Sequence, residues 1–178
     1  SSIEYFRMKR PIAVMRGSFF ILNTGRAISF CAISVSLSAS AFVTDRLLDW
    51  IGRQRGPWFA HASYFRPHPP YAAAGHFARA YDPATIAPPI APASKRHPLH
   101  EGLLRHPETA SPGSAEAIRR LRAQYFGMVS EVDHQLGRVW QTLERLGLWD
   151  DTWIFVTSDH GEDHGDHGLI GKSGFFEG

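Results

Sequence analysis

An α/β fold with a mainly parallel sheet is predicted for this chain by the order of its elements: helix, strand, long connection, helix, strand. Two runs rich in aromatic, small and β-branched residues, Trp58-Phe59-Ala60-His61-Ala62-Ser63-Tyr64-Phe65 and Thr152-Trp153-Ile154-Phe155-Val156, read as buried strands. Between them stands the clearest helical period in the chain, apolar residues stepping by three or four from Ile118 to Leu146.

The 178 residues, 43% of them hydrophobic, are enough for one globular domain with a core of its own. A net charge of +2 argues against a nucleic-acid or membrane-surface binder. A single cysteine, Cys31, excludes an internal disulfide and any multi-cysteine zinc site.

Residues 1–40 read as an atypical leader. Arg7, Lys9, Arg10 and Arg16 precede a mixed apolar stretch, and Ala39-Ser40-Ala41 has the small residues of a cleavage site. Arg26 breaks the apolar run, so a cytoplasmic location is favoured, with export as the alternative. The uncharged stretch 27–43 falls short of the roughly 20 apolar residues of a membrane span.

The next element is a helix expected to start at Thr44 as N-cap, with Val43 and Leu48 as a hydrophobic staple and Gly52 as its end. The first strand follows and ends at Arg66-Pro67-His68-Pro69-Pro70, because proline removes ladder donors and restricts its neighbours. His68 thus sits at a strand end in a stiff frame. An imidazole there can donate a proton to a leaving oxygen or hydrogen-bond an anion; the plain alternative is a structural histidine in a proline turn. Arg66 is a candidate for neutralising substrate charge, with a structural ion pair as its alternative.

Ten of the twelve prolines fall between residues 67 and 112, so residues 71–113 are expected to be irregular. His76, His97, His100 and His106 lack metal-like spacing and read as surface residues. Ser114 is the expected cap of the long helix and Gly147 its stop. Glu131, Asp133 and His134 are expected to face water or brace a loop.

The second strand leads into the most unusual stretch, Thr157-Ser158-Asp159-His160-Gly161-Glu162-Asp163-His164-Gly165-Asp166-His167-Gly168-Leu169-Ile170-Gly171-Lys172. Open α/β sheets place ligands at the carboxyl ends of their strands. A carboxylate beside an imidazole, Asp159-His160, suits a hard or borderline divalent cation. Lys172 adds a compact charge that can hold an anionic group beside it. Together they indicate hydrolysis of a phosphate-like or sulfate-like ester. A solvated, histidine-rich surface loop is the bland alternative.

Ser158-Asp159-His160-Gly161-Glu162, then Gly165-Asp166-His167-Gly168-Leu169, then Gly171-Lys172 closely resembles the metal-and-lysine motif of the sulfatases, in the alkaline phosphatase superfamily. Tyr64-Phe65-Arg66-Pro67-His68-Pro69-Pro70 looks like the corresponding segment of the branch that holds phosphonate monoester hydrolases and related arylsulfatases. Tyr125 to Leu146 resembles the family helix before the Asp-His strand.

The resemblance covers roughly residues 41–178, read as a partial sulfatase-like catalytic domain. It implies an alkaline-phosphatase-like sandwich, incomplete here. It also implies one divalent metal ion, calcium or manganese-like, on Asp159 and His160, and a transferred group held by Lys172. His68 would meet the transferred or leaving group. The substrate would be a small sulfate, phosphonate or phosphate ester, and an oligomer stays open. The family's formylglycine nucleophile arises from Cys or Ser in a Cys/Ser-x-Pro-x-Arg context. Cys31-Ala32-Ile33-Ser34-Val35 lacks both Pro and Arg, so no nucleophile is assigned. The chain alone is therefore expected to turn over little or not at all. The alternatives are a non-catalytic metal-binding remnant and an exported binding protein.

Overall fold

A computed structural model describes residues 19–23, 27–31 and 39–172. Arg7, Lys9, Arg10 and Arg16 of the expected leader lie outside the described residues. Among the described residues four strands form one sheet in the order β2-β3-β1-β4. They are β1 (Phe19–Asn23), β2 (Ala27–Cys31), β3 (Trp58–Ser63) and β4 (Trp153–Phe155). The helices are α1 (Ala39–Ile51), α2 (Pro98–Arg105) and α3 (Ala115–Arg145).

The α/β class holds, but the sheet is mixed where a mainly parallel one was expected. β2 runs parallel to β3, with Ile28 opposite Ala60. β1 runs antiparallel to both its neighbours, with Ile21 opposite Ala60 on one side and Ile154 on the other. The expectation rested on β3 and β4, which do share a direction. β1 comes from the stretch read as part of a leader, where a short apolar run fits a strand as well as a leader segment.

The core forms where α1 and α3 cover one face of this sheet. Trp58, Ala60 and Ala62 alternate inward along β3 and meet Val43, Leu47 and Ile51 of α1, Val139 and Leu143 of α3, and Ile154 of β4. This is the period of two set against the helical period of three to four. Trp50 meets Trp58 edge to face at 5.8 Å, an arrangement favoured by the ring quadrupoles.

α1 begins five residues before the expected cap. Thr44 lies inside the helix, where its hydroxyl donates to the Ser40 carbonyl at 3.0 Å and sits 2.9 Å from the Tyr64 hydroxyl. A threonine satisfied by back-bonding has no need of a cap position.

Both ends of α3 follow local rules. Ser114 Oγ accepts from the Ala117 N–H at 3.1 Å. At the far end Gly147 takes φ +68°, its N–H bonds Glu144 O at 2.9 Å, and the Leu148 N–H bonds Leu143 O at 2.8 Å. That pair is a Schellman stop, which requires the left-handed glycine. The 31 residues give a rod of about 46 Å. The buried stripe is rotated from the expected one, because it includes Glu131, Gln135 and Thr142. Glu131, expected to face water or brace a loop, is 4% exposed and so does not face water; Asp133 and His134 are exposed.

The connection 71–113 is less irregular than its prolines suggest. It holds two 3₁₀ turns, Gly75–Arg79 and Pro83–Thr85, and α2, which starts with a proline in its first turn and is capped by His97. Gly127 of α3 has no room for a side chain: a Cβ there would collide with the Phe77 carbonyl oxygen and the Ala73 methyl. The glycine lets the first 3₁₀ turn pack directly on α3. Among the described residues no helix is long and apolar enough to cross a membrane.

Candidate active site

Because β3 and β4 both run opposite to β1, their carboxyl ends lie on the same edge of the sheet. One strand separates them, so the chain exits are roughly 10 Å apart. β3 delivers the turn 64–70 to that edge, and β4 delivers the loop 157–172.

Asp159 and His160 leave β4 as a pair. The His160 Nδ1 lies 2.7 Å from the Gly161 carbonyl, which can only accept, so Nδ1 carries the proton. Nε2 is then the ring nitrogen left to ligate, and it lies 3.4 Å from Asp159 Oδ2. A ring N–H donated to a backbone carbonyl is the arrangement that orients metal-binding histidines. These two donors fit a divalent ion. Among the described residues no group of three or more His, Cys, Asp or Glu converges on one point, so the pair by itself would be only part of a ligand set.

His68 is exposed and stacks on Phe65 at 4.6 Å between centroids. Its Nδ1 lies 2.9 Å from the Pro69 carbonyl, which again places the proton on Nδ1 and leaves Nε2 to face a ligand or solvent. Arg66 is placed differently. It is 7% exposed, and its Nη1 meets the Pro70 carbonyl at 3.3 Å and the sulfur of Met128. It sits beneath the turn, wedged against α3. Lys172 is exposed at the end of the loop.

A residue that drew no attention in the sequence joins the two motifs. The Tyr71 hydroxyl donates to the carboxylate of Glu162, 91 positions away. Asp163 N–H bonds Gly171 O at 2.9 Å. The loop is therefore folded back on itself, bringing the backbone beside Lys172 close to that beside the Asp-His pair. Burial, and then the Glu162 carboxylate, push the Tyr71 phenol well above its ordinary range. The same two causes raise Tyr125 to about 12. Both phenols stay protonated at any working pH.

The far half of the loop is fastened to the rim. Asp166 pairs with Arg122 of α3, and the His167 carbonyl accepts from His100 Nε2 at 2.8 Å. His100 is buried, which corrects its reading as a surface residue. Ser111 N–H bonds Gly168 O, Ile170 N–H bonds Thr109 O, and Ala110 bridges Leu169. Of these residues those inside the loop carried a sequence signal, as part of the Gly165-Asp166-His167-Gly168-Leu169 motif. Arg122 and Tyr71 carried none.

His164 stacks on Tyr125 at 3.7 Å and adopts φ +42°. Burial, then the Arg122 charge, lower its pKa from 6.5 to about 4, partly opposed by Asp166. Between those values the unfolded chain binds the proton and the folded chain does not. The contribution to stability is complete above pH 6.5 and is lost as pH falls toward 4. A melting temperature that declines over that window, and declines less in His164→Asn, is the expected result. Asparagine suits the left-handed backbone. Equal declines in both proteins would contradict it.

Comparison with known proteins places this geometry. The family model described as Sulfatase matches residues 34–176. The multifunctional alkaline phosphatase superfamily protein PehA of Trinickia caryophylli is 38% identical over 159 residues, which cover 80% of this chain and 31% of that protein. The choline-sulfatase of Rhizobium meliloti (strain 1021) is 31% identical, over 78% of this chain and 29% of its own length. The crystal structure of the phosphonate monoester hydrolase of Agrobacterium radiobacter superimposes with a TM-score of 0.68 at 36% identity, covering 82% of this chain and 32% of that one. The chain thus spans about a third of the length of these relatives.

Proposed function

Because the chain belongs to the sulfatase family, we propose that it supplies part of the active site of a metal-dependent hydrolase of sulfate, phosphonate or phosphate esters. The observation that carries this reading is the Asp159–His160 pair at the carboxyl end of β4, with the histidine proton held on Nδ1 by Gly161 and Nε2 turned toward the carboxylate. Residues 41–178 are then part of an alkaline-phosphatase-like sandwich.

Asp159 Oδ2 and His160 Nε2 would hold calcium or a manganese-like ion. Bound there, the ion would neutralise charge on the transferred group and polarise it toward attack. Lys172 would hold the non-bridging oxygens of that group. His68 would present Nε2 to the transferred group or the leaving oxygen, donating a proton to it from the doubly protonated ring. Arg66 would support the His68 turn from below; its contacts to Pro70 and Met128 favour that role over substrate contact. The Cys31 context offers no formylglycine. The nucleophile and remaining metal donors must therefore be supplied from outside the residues assigned here.

Turnover and binding are tested together on the purified chain. With p-nitrophenyl sulfate or p-nitrophenyl phenylphosphonate and Mn²⁺ or Ca²⁺, the expected rate equals that of the His160→Ala variant. Inorganic phosphate is expected to bind the Mn²⁺-loaded chain, and Lys172→Ala to weaken it by about tenfold, the scale of one charge-assisted contact. Metal-dependent turnover lost in His160→Ala would mean that a nucleophile lies within this chain. Phosphate binding indifferent to Lys172→Ala would remove Lys172 from the site. The second reading, a metal-binding remnant without catalysis, is favoured by the absence of a third convergent donor among the described residues. Metal binding without any phosphate binding is its signature.

A further inference from the structure

We propose that Arg122 is a positioning residue for this site, holding the loop between the Asp159–His160 pair and Lys172 in one conformation; the inference rests on the functional reading above. Arg122 projects from α3 and directs its fork at three acceptors on two segments, the loop and the rim. Nε donates to the His164 carbonyl at 2.9 Å, Nη1 to the Ala87 carbonyl at 3.0 Å, and Nη2 to Asp166 Oδ1. The two side chains of the ion pair are only 11% and 17% exposed.

Asp166 passes the restraint on. Its Oδ1 also accepts from the Ile90 N–H at 2.6 Å, and the His167 N–H bonds the Ile90 carbonyl at 2.7 Å. One guanidinium thus ties α3, the proline-rich rim and the middle of the loop into a single unit. A planar fork with donors in several directions is needed for this, and lysine cannot supply it.

The location decides what the clamp controls. Asp159 and His160 are adjacent in sequence, leave β4 directly, and set their own tautomer through Gly161. Lys172 is reached only after the chain has passed through His164 and His167, both at positive φ, and three glycines at positive φ. Non-glycine residues in that region cost on the order of 1 kcal/mol each and persist only when their surroundings impose them. Arg122 bonds the His164 carbonyl, and the His167 N–H bonds the carbonyl of Ile90, whose own N–H is held by Asp166. Tyr71 closes the loop base, and the segment from His164 to His167 is held on α3 by the polar contacts of Arg122 together with the stacking of His164 on Tyr125. Loosening it lets Lys172 drift from the metal pair while the pair itself stays in place.

The test uses the full 178-residue chain, titrated with Mn²⁺ and then, Mn²⁺-loaded, with inorganic phosphate. In Arg122→Lys the Mn²⁺ affinity is expected to stay within about threefold and the phosphate affinity to fall about tenfold. In a Lys172→Ala background, Arg122→Lys is expected to change phosphate affinity by less than about twofold, since a residue acting through Lys172 has nothing left to position. A merely structural role would lower the melting temperature and leave the two effects on phosphate additive. Additive losses, or an unchanged phosphate affinity in Arg122→Lys, would overturn the inference while leaving the functional reading intact. Asp166→Asn keeps the shape of its side chain and removes the charge partner, so it repeats the cycle if Arg122→Lys fails to fold. A native chain that binds no Mn²⁺ would overturn the functional reading and this inference with it.

Discussion

Asp159→Ala and His160→Ala are each expected to weaken Mn²⁺ binding by about 100-fold or more, with little change in melting temperature. Loss of a residue that only supports a metal ligand typically costs about 10–100-fold, and loss of a ligand exceeds that. The two side chains are 69% and 33% exposed, so neither carries much of the fold. His160 also has a fixed role: its Nδ1–H is committed to Gly161, and only Nε2 faces the carboxylate. Isothermal titration with Mn²⁺ reads the affinity directly. Retained binding in both variants would place the ion elsewhere.

The second large effect lies in the core. Trp58 is 1% exposed and sits where β3 meets α1 and α3. Trp58→Ala is expected to cost about 3–5 kcal/mol, from lost burial and the cavity left behind. A domain of this size has only about 5–15 kcal/mol in all. With a urea slope of about 2 kcal/mol per molar, the unfolding midpoint should fall by about 2 M. Trp153→Ala, on the exposed edge strand β4, is the internal control and should move it by less than about 0.5 M. Equal shifts for the two tryptophans would mean that the packing around β3 is not the core of the fold.

The parts of this structure that were legible beforehand are those governed by neighbours in sequence. The Ser114 cap, the Gly147 stop and the two strand ends follow from local rules, and the closeness of the Asp159 and His160 side chains follows from adjacency. The start of α1 did not, because Thr44 satisfies its hydroxyl through Ser40 and Tyr64 instead of capping. Glu131 was misplaced because the stripe was drawn through apolar residues, whereas α3 also buries Glu131, Gln135 and Thr142. Placing Arg66 and assembling the site needed contacts at long range: Arg66 to Met128, Tyr71 to Glu162, Arg122 to Asp166. The last two span 91 and 44 positions, and no periodicity or motif announces a contact of that kind. β1 and β2 were hidden for a different reason, since short apolar runs near a basic start fit a leader as readily as a sheet.

The most direct measurement is the electron spin echo of Mn²⁺ bound to the native chain. Nitrogen modulation from one imidazole, lost in His160→Ala, is the predicted result and would put a metal ion on the Asp159–His160 pair. An echo with water protons alone and no nitrogen coupling would contradict it.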